Sequence, residues 1–245
     1  GTVLEASPEC TPSCSTSTLR LPFTSGRILP PALSCDIPPE RRREARAAAQ
    51  VLGETVYTKF PFVAGAAPVR RDPESLILDR AWASALCVTG AEGLPPVETA
   101  GNVLRPGTTL KLSLRLPPTL DPHAAAKEVK TLLEADPPYG ARVAFETSQE
   151  APGWHARARA PWFDAALERA SRAHFGASAA FMGEGVTIPF MGLLGERFPD
   201  AQFLITGVLG PGSNAHGPNE FLHLPAVRAL TACVAEVIGA HGAQG

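Results

Sequence analysis

The sequence predicts an α+β module followed by a partial α/β layer. Three observations carry that reading. Residues 108–116, TTLKLSLRL, set Leu110, Leu112, Leu114 and Leu116 on one face and Lys111, Ser113 and Arg115 on the other. This is the period-two signature of a half-buried strand. Two proline-led segments, 38–52 and 121–135, flank it with helical patterning. After residue 150 the character changes: amphipathic helices surround a nearly continuous apolar run, AQFLITGVL at 201–209, which fits a strand buried on both faces.

Each element has its own local reason. Residues 1–26 are rich in Ser, Thr and Pro and show no period, so they are expected to form a low-complexity, irregular segment with little stable structure of its own. PPERRREARAAAQVL (38–52) opens with Pro38 and Pro39, where a helix has no use for the missing N–H. LILDRAWASALCVT (76–89) reads as strand material interrupted near Asp79. Residues 90–108 carry Gly, Pro and Asn and read as a long loop. Pro117 and Pro118 end the clear strand, and Asp121 with Pro122 supplies an N-cap and first position for the next helix. ARVAFET (141–147) alternates again. Residues 38–147 thus predict an antiparallel sheet covered on one face by two helices. Beyond, 161–175 and 225–241 are amphipathic helices, and 183–198 starts with glycines and turns helical. With so few strands, 151–245 reads as part of a sheet rather than a whole one.

Composition narrows the function classes. Apolar residues make up 44% of the 245, enough for a sizeable core. The formal net charge is −2, which argues against non-specific nucleic-acid binding, since that needs a basic footprint. No run of 18 apolar residues occurs, so no transmembrane helix is expected. The N-terminus lacks the basic and apolar regions of a signal peptide. The five cysteines, Cys10, Cys14, Cys35, Cys87 and Cys233, are scattered and odd in number. They read as free thiols in a cytoplasmic setting, and Cys10 and Cys14 have no second Cys/His pair at zinc-finger spacing.

Candidate chemistry concentrates in three places. His216 sits in GPGSNAHGPNEFL (210–222), just past the apolar run, where open α/β sheets place their sites. Asn219 or Glu220 either orients its ring or caps the next helix; the alternative is a strand-to-helix connection with an incidental histidine. MGEGVTIP (182–189) puts glycines before a helix, exposing N–H groups suited to a carboxylate or phosphate, with the Thr187 hydroxyl as a further donor. The alternative there is an ordinary helix start. Arg115 lies on the polar strand face, where a guanidinium either clamps a carboxylate or merely faces solvent. Asn102, in the long loop, has no local signal. His123, His155, His174 and His241 look ordinary, His223 is a weak supporting candidate beside His216, and no nucleophile elbow is present.

Taken together, four stretches resemble a known family: GNVLRPGTTLKLSLRLPP (101–118), MGEGVTIPFMGLLGERFP (182–199), FLITGVLGPGSNAHGPNEFL (203–222) and the closing helix. The chain resembles the dinuclear-zinc peptidases and amidohydrolases that include carnosinase, cytosolic dipeptidases, aminoacylase and succinyl-diaminopimelate desuccinylase, the twentieth metallopeptidase family. The resemblance implies a lid, or dimerisation, domain of four antiparallel strands and two helices over about 27–148. It implies the C-terminal part of the zinc-binding α/β domain over about 149–245. It makes His216 a zinc ligand. It gives Asn102, Arg115, Glu184, Gly185 and Thr187 contact with substrate, Asn102 from across a homodimer. It implies two zinc ions and a dipeptide or N-acyl amino acid as substrate; the charge balance and the lack of a long apolar run add the expectation of no nucleic acid or membrane partner.

The sequence also departs from that family. A dinuclear centre needs several protein ligands and a general base. In the family these include an HxD pair, a bridging Asp and a Glu–Glu pair. This chain contains no HxD and no Glu–Glu. The lid's HSG histidine is missing, and Val186 stands where glycine is common. Two expectations follow: a zinc-dependent hydrolase by ancestry, or an inactive fragment that keeps a dimerisation face.

Overall fold

The computed structural model describes residues 2–9, 23–24, 27–28, 30–185, 189–210 and 212–244. The chain divides into two compact units. Residues 1–155 and 181–194 make the first, and residues 156–180 and 195–245 the second.

The first unit is built on a four-stranded sheet. Strand β1 is Thr2–Glu9; two short strands, β2 (Phe23–Thr24) and β3 (Arg27–Ile28), form a separate hairpin. Helices α1 (Pro39–Leu52), α2 (Thr55–Thr58) and α3 (Pro73–Trp82) follow, then β4 (Ala85–Glu92), β5 (Thr109–Arg115), α4 (Pro122–Glu134) and β6 (Arg142–Gln149). The strand order is β4-β5-β1-β6. Strand β1 is antiparallel to both β5 and β6, with Leu4 opposite Leu112 on one side and Thr147 on the other. Hence β5 and β6 run the same way, and parallel strands require a crossover, which α4 supplies. The irregular segment expected over 1–26 is therefore corrected for Thr2–Glu9. The TVLEASPE stretch shows little alternation, but a central strand position needs only backbone groups on both edges.

The core lies between the sheet and α4. Leu33, Leu112, Leu114, Ala125, Val129, Leu133 and Phe145 are buried there, with Leu110 and Leu116 packed against them. The leucine face read from the alternation is thus the core face, and full burial of such a side chain contributes about 1.5–3 kcal/mol. Asp121 accepts a hydrogen bond from the His123 N–H (2.9 Å) and caps α4 as expected. At its far end, the Glu134 carboxylate accepts from Lys130 (2.6 Å) and from the Phe145 N–H (2.8 Å), tying helix to strand.

Two expectations need correction here. Residues 76–82 are helix, not strand, and only 85–92 extend. The cue was the Asp72-Pro73 pair, the same N-cap and first-position signal as at Asp121-Pro122; Asp72 accepts from the Ser75 N–H (2.9 Å). Ile77, Leu78 and Trp82 then share a buried face. That face is what α1 packs against: Ala45, Ala48, Ile77, Leu78 and Trp82 form a second cluster. So one long helix, α4, covers the sheet core, while α1 pairs with α3.

The second unit is helical. Helix α5 (Pro161–Phe175) packs on α7 (Leu224–Gly242), burying Phe163, Ala166, Leu167, Ala170, Cys233 and Val237. Helix α6 (Pro189–Arg197) straddles the division between the units in sequence. The run 201–209, expected as a strand, forms none. Apolar content alone does not make a strand; a ladder partner is required, and no described residue of this unit is a strand. Ile205, Val208 and Leu209 are exposed. By length and composition α7 is apolar enough to cross a membrane. Its Cys233 and Val237 are instead buried against α5.

Candidate functional site

Three of the sequence candidates fall together in the first unit. Arg115 is the last residue of β5, on the exposed face opposite Leu112 and Leu114. Its guanidinium donates to the carbonyl of Gly185 at 2.8 Å. Beside Gly185, Glu184 is ion-paired with Arg80 in the last turn of α3. The segment 183–185 approaches α3 very closely. A Cβ on Gly185 would lie 2.1 Å from the Arg80 carbonyl oxygen, and one on Gly183 would lie 2.7 Å from Ala81 Cβ. Glycine is required at 185 because the obstacle is backbone, which does not swing aside. Both the sheet and α3 therefore hold this segment, the sheet through a hydrogen bond and α3 through charge and close packing.

Arg80 was not singled out from the sequence. The signal was an arginine at a helix C-terminus, and it was hidden because that helix reads as strand.

A second arrangement supports α3. Trp82 meets His155 edge to face with ring centroids 5.4 Å apart. Arg41 donates to His155 Nε2 (3.2 Å) and is paired with Glu44. Burial, and then the Arg41 charge, hold the His155 imidazole below its ordinary pKa. His155 is thus a neutral acceptor joining α1 to α3.

The His216 loop belongs to the second unit. Asn214, His216 and Asn219 all take positive φ, 52°, 60° and 59°, a region that Asn and His tolerate better than most residues. The loop holds itself in that shape. Asn214 Nδ2 donates to the Pro218 carbonyl (2.7 Å), and the Phe221 N–H donates to the Ser213 carbonyl (3.1 Å). Glu220 accepts from the backbone N–H of His216 (2.9 Å), so it fixes the loop rather than being seen on the ring. Capping of α7 falls to His223, whose Nδ1 accepts from the Ala226 N–H (3.2 Å). His216 itself is exposed. Ser213 is 3% exposed, and its hydroxyl has no hydrogen-bond partner among the described residues.

Asn102 is exposed in the β4–β5 loop, between the Gly101 carbonyl and the Val103 N–H that bond to each other (3.0 Å). Thr187, like Val186, Cys10 and Cys14, lies outside the described residues. Among the described residues no group of three or more His, Cys, Asp or Glu is placed to hold a metal ion. The donor set fits a dinuclear zinc centre poorly: His216 offers one imidazole, and its neighbour Glu220 is engaged by backbone. The other histidines are occupied structurally, His174 by Glu236 (2.6 Å) and His241 by stacking on Trp162.

The cysteinylglycine-S-conjugate dipeptidase of Corynebacterium striatum is 29% identical over 174 residues, 67% of this chain and 36% of the relative. Human carnosine dipeptidase 1 matches with a TM-score of 0.66 at 18% identity, over 96% of this chain and 53% of that one. Dug1p, a di-peptidase from Saccharomyces cerevisiae, matches with a TM-score of 0.71 at 14% identity, over 98% and 53%. Sso-CP2, an M20 family metallo-carboxypeptidase from Sulfolobus solfataricus, matches with a TM-score of 0.66 at 15% identity, over 96% and 57%. The chain thus spans only part of each relative's length. No protein-family model matches it. The structures show the fold, and together with the sequence relative they support the resemblance to the M20 metallopeptidases.

Proposed function

We propose that this chain is the carboxylate-recognising and self-pairing portion of an M20-type peptidase, with a dipeptide or N-acyl amino acid as its ligand class, and that it does not hydrolyse such a ligand by itself. The observation that carries this reading is the meeting of Arg115 with Gly185. A guanidinium has five N–H donors in a planar fork. One is engaged by the Gly185 carbonyl, and the exposed remainder suits a bidentate carboxylate. The carbonyl contact restrains the fork, so less freedom is lost when the carboxylate arrives. Thr187 is assigned as a further hydroxyl donor to the same carboxylate.

His216 is assigned as a single metal ligand, and one imidazole does not retain two zinc ions. The dipeptidase names of the relatives support the ligand class.

Self-pairing is assigned to β4. It is an edge strand of the sheet and carries Val88, 55% exposed. The end strand of a sheet that carries an exposed apolar side chain is a template for a second copy. Asn102, in the loop that follows β4, is assigned to reach the partner's ligand.

The test is direct. The purified chain, analysed for zinc and assayed with glycylglycine, is expected to hold no stoichiometric metal and to release no glycine. N-acetylglycine is expected to bind with a Kd on the order of 1 mM, as a few charge-assisted contacts allow. Two zinc ions per chain with chelator-sensitive hydrolysis would overturn the inactivity. Unaltered N-acetylglycine binding after Arg115→Met would overturn the carboxylate assignment. Val88→Lys is expected to turn a dimer into a monomer in light scattering.

A further inference from the structure

Glu184 stands next to the glycine that meets Arg115, and a free carboxylate there would compete with any anionic ligand for the guanidinium. The structure shows where that charge goes. Glu184 is paired with Arg80, and both side chains are only about half exposed, at 42% and 44%. Arg80 is itself placed by helix α3, whose Ile77, Leu78 and Trp82 are buried against α1. Its neighbours leave it for this role: Arg70 is engaged with Asp79 at 2.8 Å, and Arg46 with Glu74 at 3.0 Å. The backbone of Arg80 adds a steric stop, since its carbonyl oxygen excludes a Cβ at 185. One residue thus sets the 183–185 segment by charge at Glu184 and by contact at Gly185.

We propose that Arg80 is a positioning residue: through Glu184 it holds the 183–185 segment at the register where the Gly185 carbonyl meets Arg115, and it withdraws the Glu184 charge from the carboxylate-binding face. Arg80 acts on the segment and not on the ligand. The proposal rests on the carboxylate reading of Arg115 for its functional consequence, but its structural part stands on the contacts alone. It gives Glu184 a task different from substrate contact. The carboxylate is a tether, and its charge is neutralised before a ligand arrives.

The experiment uses the full chain with N-acetylglycine as probe and two-dimensional NMR of backbone amides and arginine side chains. Arg80→Met is expected to shift the amides of 184 and 185 and to average the Arg115 guanidinium signals, which the Gly185 contact otherwise holds distinct. Amides of Ile77 and Leu78 are expected to stay in place, which separates this effect from loss of α3. Probe binding is expected to weaken about five- to tenfold, the scale of one charged hydrogen bond plus a released like charge. Arg80→Lys keeps the charge and is expected to restore binding to within about twofold, as for a single-contact ion pair. Glu184→Gln loosens the segment yet removes the competing charge, so its binding loss is expected to be smaller than that of Arg80→Met. In the double variant the loss is expected to be no larger than in Glu184→Gln alone, because Arg80 acts through Glu184. Unchanged 184–185 amides and Arg115 signals in Arg80→Met would overturn the proposal. Failure of the unsubstituted chain to bind the probe would instead sink the carboxylate reading, and the amide and guanidinium signals would still decide Arg80.

Discussion

Arg115 and Gly185 are 70 residues apart in sequence and meet in a 2.8 Å hydrogen bond from guanidinium to carbonyl. One partner ends a strand whose other face is core, and the other lies in a glycine-bearing segment held by α3. The bond joins the best-patterned stretch of the chain to one of its least patterned.

That relationship makes Gly185 a sensitive position. Gly185→Ala forces a Cβ to within 2.1 Å of the Arg80 carbonyl oxygen. Overpacking against backbone costs about 1–3 kcal/mol. The segment is expected to move off Arg115, and the loss of distinct Arg115 side-chain signals in NMR checks it. A Gly185→Ala chain with unaltered Arg115 signals would refute the tight grip.

Core truncation is expected to fall unequally on the chain. Leu112 is 0% exposed between sheet and α4. Leu112→Ala is expected to destabilise the first unit by about 2–5 kcal/mol, as for other buried leucines. Denaturant titration followed by exchange of the Leu114 and Val129 amides measures it. The α5–α7 pair is expected to respond little.

The first unit is expected to lose stability as pH falls, in two steps. His155 is held below its ordinary pKa by burial and by Arg41. The unfolded chain therefore takes up a proton first, so stability is full above the ordinary histidine value of about 6.5 and declines below it. His155→Gln keeps an acceptor for Arg41 and is expected to flatten that limb in pH-dependent melting. Glu134 is held below the ordinary glutamate range by Lys130 and the Phe145 N–H. Its contribution is present above the ordinary glutamate value and is lost as pH falls further. An unchanged acid limb in Glu134→Gln would contradict this.

Residues 201–209 are expected to exchange their amide hydrogens faster than 109–115. The former have no strand ladder, whereas the latter are paired on both sides, to β1 and β4. Slower exchange in 201–209 would mean that the run has found a partner.

Ser213 offers a change in the opposite direction. Its hydroxyl is buried without a partner among the described residues. A buried unsatisfied hydroxyl costs about 1–3 kcal/mol, so Ser213→Ala is expected to leave the second unit as stable or more stable. A clear destabilisation would show that the hydroxyl has a partner in solution.

The sequence by itself determined the elements whose signals are local. Strand β5 followed from leucine alternation, because a half-buried strand has a period of two. Helices α1, α4, α5 and α7 followed from proline starts, caps and amphipathic spacing. Arg115 was legible as a polar-face guanidinium, and His216 as a histidine in a turn-rich loop. Three things were decided only by tertiary structure. Thr2–Glu9 carries no pattern of its own, yet it lies between β5 and β6 and pairs antiparallel with both. Residues 201–209 have strand composition and form none, because a strand is defined by a neighbour's backbone groups. The role of Arg80 depends on a chain segment about a hundred residues away, and no local spacing encodes that Glu184 will lie beside it. Local propensity is written in neighbouring residues; the pairing of charges and edges is set by which surfaces the core brings together.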